Sequence, residues 1–184
     1  MKARRAGERA VPFAYFDRLT RKQQGVYRKS DEVATIRLPG VAAVRPLAEA
    51  LAEGLAGGER LAVQGAADRL LAALTAQLGV PALRTEILAV RPARSWGELH
   101  GLYTPAQGAR PATVRLWMRT AQRQQVVKFR TFLRTLIHEL CHHLDYELLG
   151  LPDSFHTEGF YRRESSLVRQ LAGDPPPARS PGHG

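Results

Sequence analysis

His138-Glu139-Leu140-Cys141-His142 sets two imidazoles four residues apart, with a carboxylate directly after the first. On a helix, residues i and i+4 share a face, so both imidazoles can grip one tetrahedral metal ion while Glu139 projects beside it. Neutral imidazole nitrogen suits Zn2+, and three protein ligands leave a fourth position for a water whose pKa falls to about 7. A carboxylate next to that water takes its proton during attack on a carbonyl and passes it to the leaving amine. The pattern therefore holds the parts needed for amide hydrolysis, with Glu139 as general base and one Zn2+ as cofactor. In a chain of this length it arises by accident on the order of one time in a hundred.

A helix must hold these residues. From Val126 to Leu148 the apolar residues Phe129, Phe132, Leu133, Leu136, Ile137, Leu140, Leu144 and Leu148 recur at three and four residues. His138, His142 and Asp145 then fall on a neighbouring face. After the motif, Gly150 is a helix stop, Pro152 follows, and Asp153 or Ser154 is a candidate N-cap for a second helix running to about Leu171. Two residues compete as third ligand. His156 would sit in the first turn of that helix with Phe160 packed beneath it, and Glu164 would lie a turn past Phe160 on the same side. A ligand near the turn needs less precise helix crossing, which favours His156 and leaves Glu164 to hydrogen-bond an imidazole or pair with Arg162 or Arg163. Asp145 could orient a ligand imidazole or be a solvated helix-face residue. His143 points about 100° away from His142 and reads as structural or surface. Cys141, facing the apolar stripe, reads as a small buried hydrophobe. Tyr161, Arg162 and Tyr103 are candidate oxyanion donors, with Tyr161 expected to project from a different face than His156. His100 and His183 carry no signal.

With Thr135-Leu136-Ile137-His138-Glu139-Leu140-Cys141-His142, then His156-Thr157-Glu158-Gly159-Phe160, the chain resembles the zincin metallopeptidases, and within them the SprT-like (Spartan-like) group. Gly101-Leu102-Tyr103 and Ala112-Thr113-Val114-Arg115-Leu116 look like the edge hairpin that often precedes a zincin active-site helix. The resemblance covers residues 82–172 and implies His138, His142 and His156 as metal ligands and Glu139 as general base. The chain departs from the group in having Thr157 after His156, where Gly is usual, and in lacking Cys pairs for an accessory zinc ribbon. A gluzincin-like enzyme with Glu164 as ligand remains open.

The remaining elements must position this site. Residues 13–29 read as an N-terminal helix docking on the body, closed by Ile36-Arg37-Leu38-Pro39. Pro46 to about Leu55 and Gly65 to about Leu78 read as Ala/Leu-rich helices, the first with Pro near its start and Gly57-Gly58 after its end. Leu83–Val90, Glu98–Tyr103 and Ala112–Met118 read as strands, with Pro92 to Trp96 between the first two. The order fits an α+β, zincin-like fold, a small three-stranded sheet packed on the HExxH helix with additional N-terminal helices. Strand 112–118 is expected at the sheet edge lining the cleft, where a polypeptide substrate could add through backbone hydrogen bonds. The expected division is a basic N-terminal segment 1–45, one catalytic domain 46–172, and a disordered Pro-rich tail 173–184.

With 184 residues and 44% hydrophobic content, the chain can bury one sizeable core. One cysteine excludes an internal disulfide framework, and no apolar run is long enough to span a membrane. A soluble cytoplasmic protein is expected. The net charge of +10 is uneven: residues 1–30 carry nine Lys/Arg against two acids, and residues 91–134 nine against one. Those segments are placed away from the catalytic face. They bring nucleic acid into consideration, and the SprT-like resemblance points the same way, since that group includes proteases acting on proteins attached to DNA. A solvated Arg-rich surface accounts for the same charge, and no nucleic-acid motif accompanies it. The sequence thus favours a zinc metalloendopeptidase. The alternatives are a non-catalytic or regulatory metal-binding protein of zincin fold that binds peptide or DNA, and a zinc hydrolase of a non-peptide amide.

Overall fold

The structure, a computed structural model, describes residues 13–90 and 101–173. Residues 1–12 of the expected basic N-terminal segment, Pro92–Trp96, the start of the second strand at 98–100 and the tail beyond 173 lie outside them.

Residues Phe16–Arg18 form one 3-10 turn, and α1 spans Arg21–Glu32. The expected single helix over 13–29 is broken between them because Thr20 caps α1: its side chain accepts from Gln23 N–H while the Gln23 side chain returns to the Thr20 N–H. Helices α2 (Val41–Gly57) and α3 (Arg60–Leu78) both begin about five residues before the expected points. Pro46 lies inside α2, near its start, and the buried Val44 carries the helix back past it. In α3 the buried Val63 does the same for Gly65. Both helices end on glycines in the left-handed region, Gly58 at φ 71° and Gly79 at φ 66°.

Strands β1 (Arg84–Val90), β2 (Gly101–Thr104) and β3 (Thr113–Arg119) form a mixed sheet in the order β1-β3-β2. β3 pairs parallel with β1 and antiparallel with β2. The strand expected at the edge, 112–118, is therefore the central one. Its Val114, Leu116, Trp117 and Met118 are all buried, as a strand paired on both sides and covered by helices requires. The edge strand beside the cleft is β2.

Helix α4 spans Phe129–Glu147 and packs on β2 and β3, while α5 (Glu158–Ala172) packs on α4, α2 and α1. One apolar core runs through all of these elements. In α4, Leu133, Leu136, Ile137, Leu140 and Leu144 are fully buried, each stabilising the fold by roughly 1.5–3 kcal/mol. Cys141 is buried with them, and burial pushes its thiol pKa up. The fold is thus α+β, with the HExxH helix held between the sheet and α5. No helix among the described residues is long and apolar enough to cross a membrane.

Polar contacts fasten α1 to the last helix. Arg163 of α5 and Asp145 of α4 form a fully buried ion pair at 2.7 Å. The same guanidinium donates to the Ser30 and Val33 carbonyls at the C-terminal end of α1 and to Ser30 Oγ. Asp31 Oδ1 accepts from the Gly159 N–H at 2.7 Å in the first turn of α5. A Cβ on Gly159 would lie 2.3 Å from the Asp31 carbonyl oxygen, so only glycine lets the two chains approach this closely.

Candidate metal centre

The apolar stripe of α4 faces the core, which turns His138 and His142 toward the groove between α4 and α5. His156 meets them from the loop before α5. That helix starts at Glu158 with Thr157 as its N-cap, the Thr157 side chain accepting from Phe160 N–H. Asp153 and Ser154 are therefore not the caps, and His156 precedes the helix instead of lying in its first turn. Its place is fixed from three sides. Tyr15 Oη donates to its backbone carbonyl at 2.8 Å, Tyr161 stacks on its ring at 5.8 Å, and Phe160 lies beneath at 5.2 Å. Phe160 also lies 5.0 Å from the His138 ring and 4.8 Å from that of His142, flooring the whole cluster.

The three Nε2 atoms converge. His156 Nε2 is 3.0 Å from His138 Nε2 and 3.1 Å from His142 Nε2, and the three donors lie within 4.8 Å of one another. Zinc–nitrogen bonds of 2.0–2.1 Å in tetrahedral geometry hold nitrogens about 3.3 Å apart. Both separations from His156 Nε2 fall within a few tenths of an ångström of that spacing. The outward ring atoms are engaged, His138 Nδ1 with Glu164 Oε2 at 2.9 Å and His142 Nδ1 with Ser154 Oγ at 2.7 Å. A carboxylate only accepts, so neutral His138 carries its proton on Nδ1 and turns a lone pair inward. Burial, and after it the closeness of a second titratable imidazole, lower the pKa of His142 to about 3 and also lower that of His156, favouring the neutral form that a ligand must take. The donor set fits one Zn2+, and the arrangement is a zincin-type HExxH metal-binding site.

Glu139 lies beside the cluster, 6% exposed. Burial raises its pKa to about 7 against the opposing influence of His138 and a hydrogen bond from the Tyr103 backbone N–H. A Cβ at Gly101 would lie 2.5 Å from Glu139 Oε1, so the closeness of β2 to this carboxylate depends on glycine there. A cleft of about 800 Å³ opens above, lined by Leu102 and Pro105 on the β2 side and by Tyr146, Tyr161, Thr135 and Arg134 across it.

Several candidates stand elsewhere than expected. Glu164 bonds the His138 imidazole, one of its two expected roles, but its cationic partner is Arg134, while Arg162 reaches Glu158 at 3.8 Å and Arg163 pairs with Asp145. Asp145 is fully buried, not a solvated helix-face residue. Tyr161 faces the cluster because His156 is not on its helix, so the expected angular offset between them does not apply. Tyr103 Oη donates to His143 Nδ1, since His143 Nε2–H is taken by the Pro81 carbonyl. This makes His143 a buried structural residue and turns the Tyr103 hydroxyl away from the metal ligands. Arg134, within the basic stretch expected to lie away from the site, lines the cleft. Its position one helical turn before His138 was a signal in the sequence. Ser154, Arg163 and Tyr15 had none. His100 and His183 lie outside the described residues. Comparison of the chain with protein-family models, with curated proteins and with solved structures gives no match.

Proposed function

We propose that this chain is a zinc-dependent metalloendopeptidase in which His138, His142 and His156 hold the ion and Glu139 is the general base. The observation that carries the reading is the convergence of three imidazole Nε2 atoms beside a buried carboxylate at the floor of an open cleft. Glu164 is the weaker third-ligand candidate because both of its oxygens are committed, one to Arg134 and one to His138. It serves instead to orient the His138 ring.

Zinc bound there supplies Lewis-acid polarisation of the scissile carbonyl and lowers the pKa of water to about 7. Glu139 accepts the proton of the attacking water and delivers it to the leaving nitrogen. Its raised affinity for that proton suits both transfers. Tyr161, lining the cleft against His156, is the side chain we assign to the developing oxyanion. Among the described residues no strand pairs with the outer edge of β2. An extended polypeptide laid along Gly101–Thr104 would run past Glu139 with its backbone as the recognised feature.

Finer features belong to the same proposal. The SprT-like assignment rests on the motif residues, a nucleic-acid contact on the charge of segments 1–30 and 91–134, and a cytoplasmic location on the sequence alone. The division into segment 1–45, catalytic unit 46–172 and tail 173–184 is proposed with one change. Helix α2 runs through residue 45, which moves the first boundary to the Pro39–Gly40 turn.

The test compares zinc content and casein hydrolysis in wild type, Glu139→Gln and His156→Ala. We expect near-stoichiometric zinc in wild type and Glu139→Gln, at least about a hundredfold loss of hydrolysis in Glu139→Gln, and zinc lost in His156→Ala. A Glu139→Gln protein as active as wild type would overturn the proposed base. Absence of zinc from the wild type after reconstitution would overturn the metal reading.

A further inference from the structure

Ser154 stands between a metal-facing imidazole and a buried carboxylate. Its Oγ is 2.7 Å from His142 Nδ1 and 2.7 Å from Asp145 Oδ2. A serine hydroxyl has one proton, so it donates to only one of these two. Asp145 settles which. Its other oxygen, Oδ1, accepts from Arg163 NH2 at 2.7 Å, and both side chains are fully buried. Burial raises the Asp145 pKa, and the Arg163 guanidinium, which remains protonated in proteins, and the Ser154 hydroxyl both counter that rise in favour of the carboxylate. A carboxylate has no proton to give. The Ser154 hydroxyl therefore donates to Asp145, and its lone pair accepts from His142 Nδ1–H.

We infer that Ser154 is a positioning residue that fixes the tautomer of His142, holding the proton on Nδ1 and the lone pair on the Nε2 that faces His138 and His156. The buried pair Asp145–Arg163 then has a use beyond joining α4 to α5. It orients the serine hydroxyl, and Arg163 is itself held by the Ser30 and Val33 carbonyls at the end of α1. The chain of contacts runs from the N-terminal helix through Arg163, Asp145 and Ser154 to one ligand. His138 obtains the same tautomer directly from Glu164, so the two helix-borne ligands are prepared by separate devices. The inference rests on the reading of His142 as a metal ligand, but the state it assigns exists in the metal-free protein.

Long-range nitrogen–proton NMR of the imidazoles in metal-free, full-length protein at neutral pH reads the tautomer directly. We expect His142 as the Nδ1–H form in wild type and a shift toward Nε2–H in Ser154→Ala. Zinc affinity, measured by chelator competition, should fall roughly tenfold to a hundredfold in Ser154→Ala and return with Ser154→Thr, which restores a hydroxyl. An Nε2–H form at His142 in the wild type would overturn the inference whatever the variants do. So would a Ser154→Ala protein that keeps the Nδ1–H form or binds zinc within twofold of wild type. Failure of the wild type to bind zinc would instead count against the metallopeptidase reading, while the tautomer measurement still judges Ser154.

Discussion

Gly101 and Glu139 meet where a side chain and a backbone would otherwise compete for one space. A methyl at position 101 would lie 2.5 Å from Glu139 Oε1, 2.8 Å from its Cγ and 2.9 Å from Thr135 Cγ2. Gly101→Ala should displace the carboxylate while leaving the three imidazoles in place. Because an ångström of misplacement at a reacting group costs on the order of a hundredfold, we expect about that loss of peptidase activity with zinc content unchanged. Elemental analysis beside a hydrolysis assay checks both halves, and loss of zinc would show that the damage is not confined to Glu139. At this scale the sequence was informative where spacing alone decides geometry. His138, Glu139 and His142 share one helix, so 3.6-residue periodicity brought them together before any tertiary contact was known. His156 could not be separated from Glu164 in that way, because the choice depends on how the α5 segment returns across α4. Nor could the hydroxyl of Tyr103 be excluded, since its partner His143 sits on a different element.

At the scale of elements, the joint between α1 and α5 is built from backbone. The Gly159 N–H donates to Asp31, and the absence of a Cβ lets the Asp31 main chain pass at that distance. Backbone cannot yield as a flexible side chain does, so Gly159→Ala should force the helices apart. Overpacking of this kind typically costs about 1–3 kcal/mol. Thermal unfolding should register that loss, and zinc affinity should fall with it because Tyr27 of α1 lies against Phe155 of the His156 loop, with ring centroids 6.3 Å apart. An unchanged midpoint would mean that α1 tolerates the displacement. The elements were legible from periodicity and breakers, which located β1, β3 and the ends of α2, α3 and α4 to within a residue or two. Helix starts were less so: Pro46 and Gly65 look like beginnings, yet the apolar face continues upstream at Val44 and Val63. Strand order was not legible at all. The alternation in 112–118 marks a strand, but its central place comes from a parallel partner, Arg84–Val90, distant in sequence.

For the molecule as a whole, charge and topology lead to different expectations. The positive excess resides in segments 1–30 and 91–134, at +7 and +8, with the rest of the chain net negative, and Arg134 brings part of it to the rim of the cleft. If those segments contact nucleic acid through phosphates, affinity for double-stranded DNA should fall steeply between 50 and 200 mM salt, with a log–log slope set by the number of phosphates neutralised. A titration at several salt concentrations reads that slope, and no measurable binding at low salt would remove nucleic acid from the proposal. The topology bears on time instead. Tyr15 and His156 are 141 residues apart and Ser30 and Arg163 are 133 apart, so the supports of the metal site come from opposite ends of synthesis. At a translation rate of about 5–20 residues per second, α1 would wait roughly 7–28 s before Arg163 and the His156 loop leave the ribosome to join it. Until then the polar end of α1 has none of its final partners. A ligand set assembled this late cannot acquire its ion while the chain is still half made.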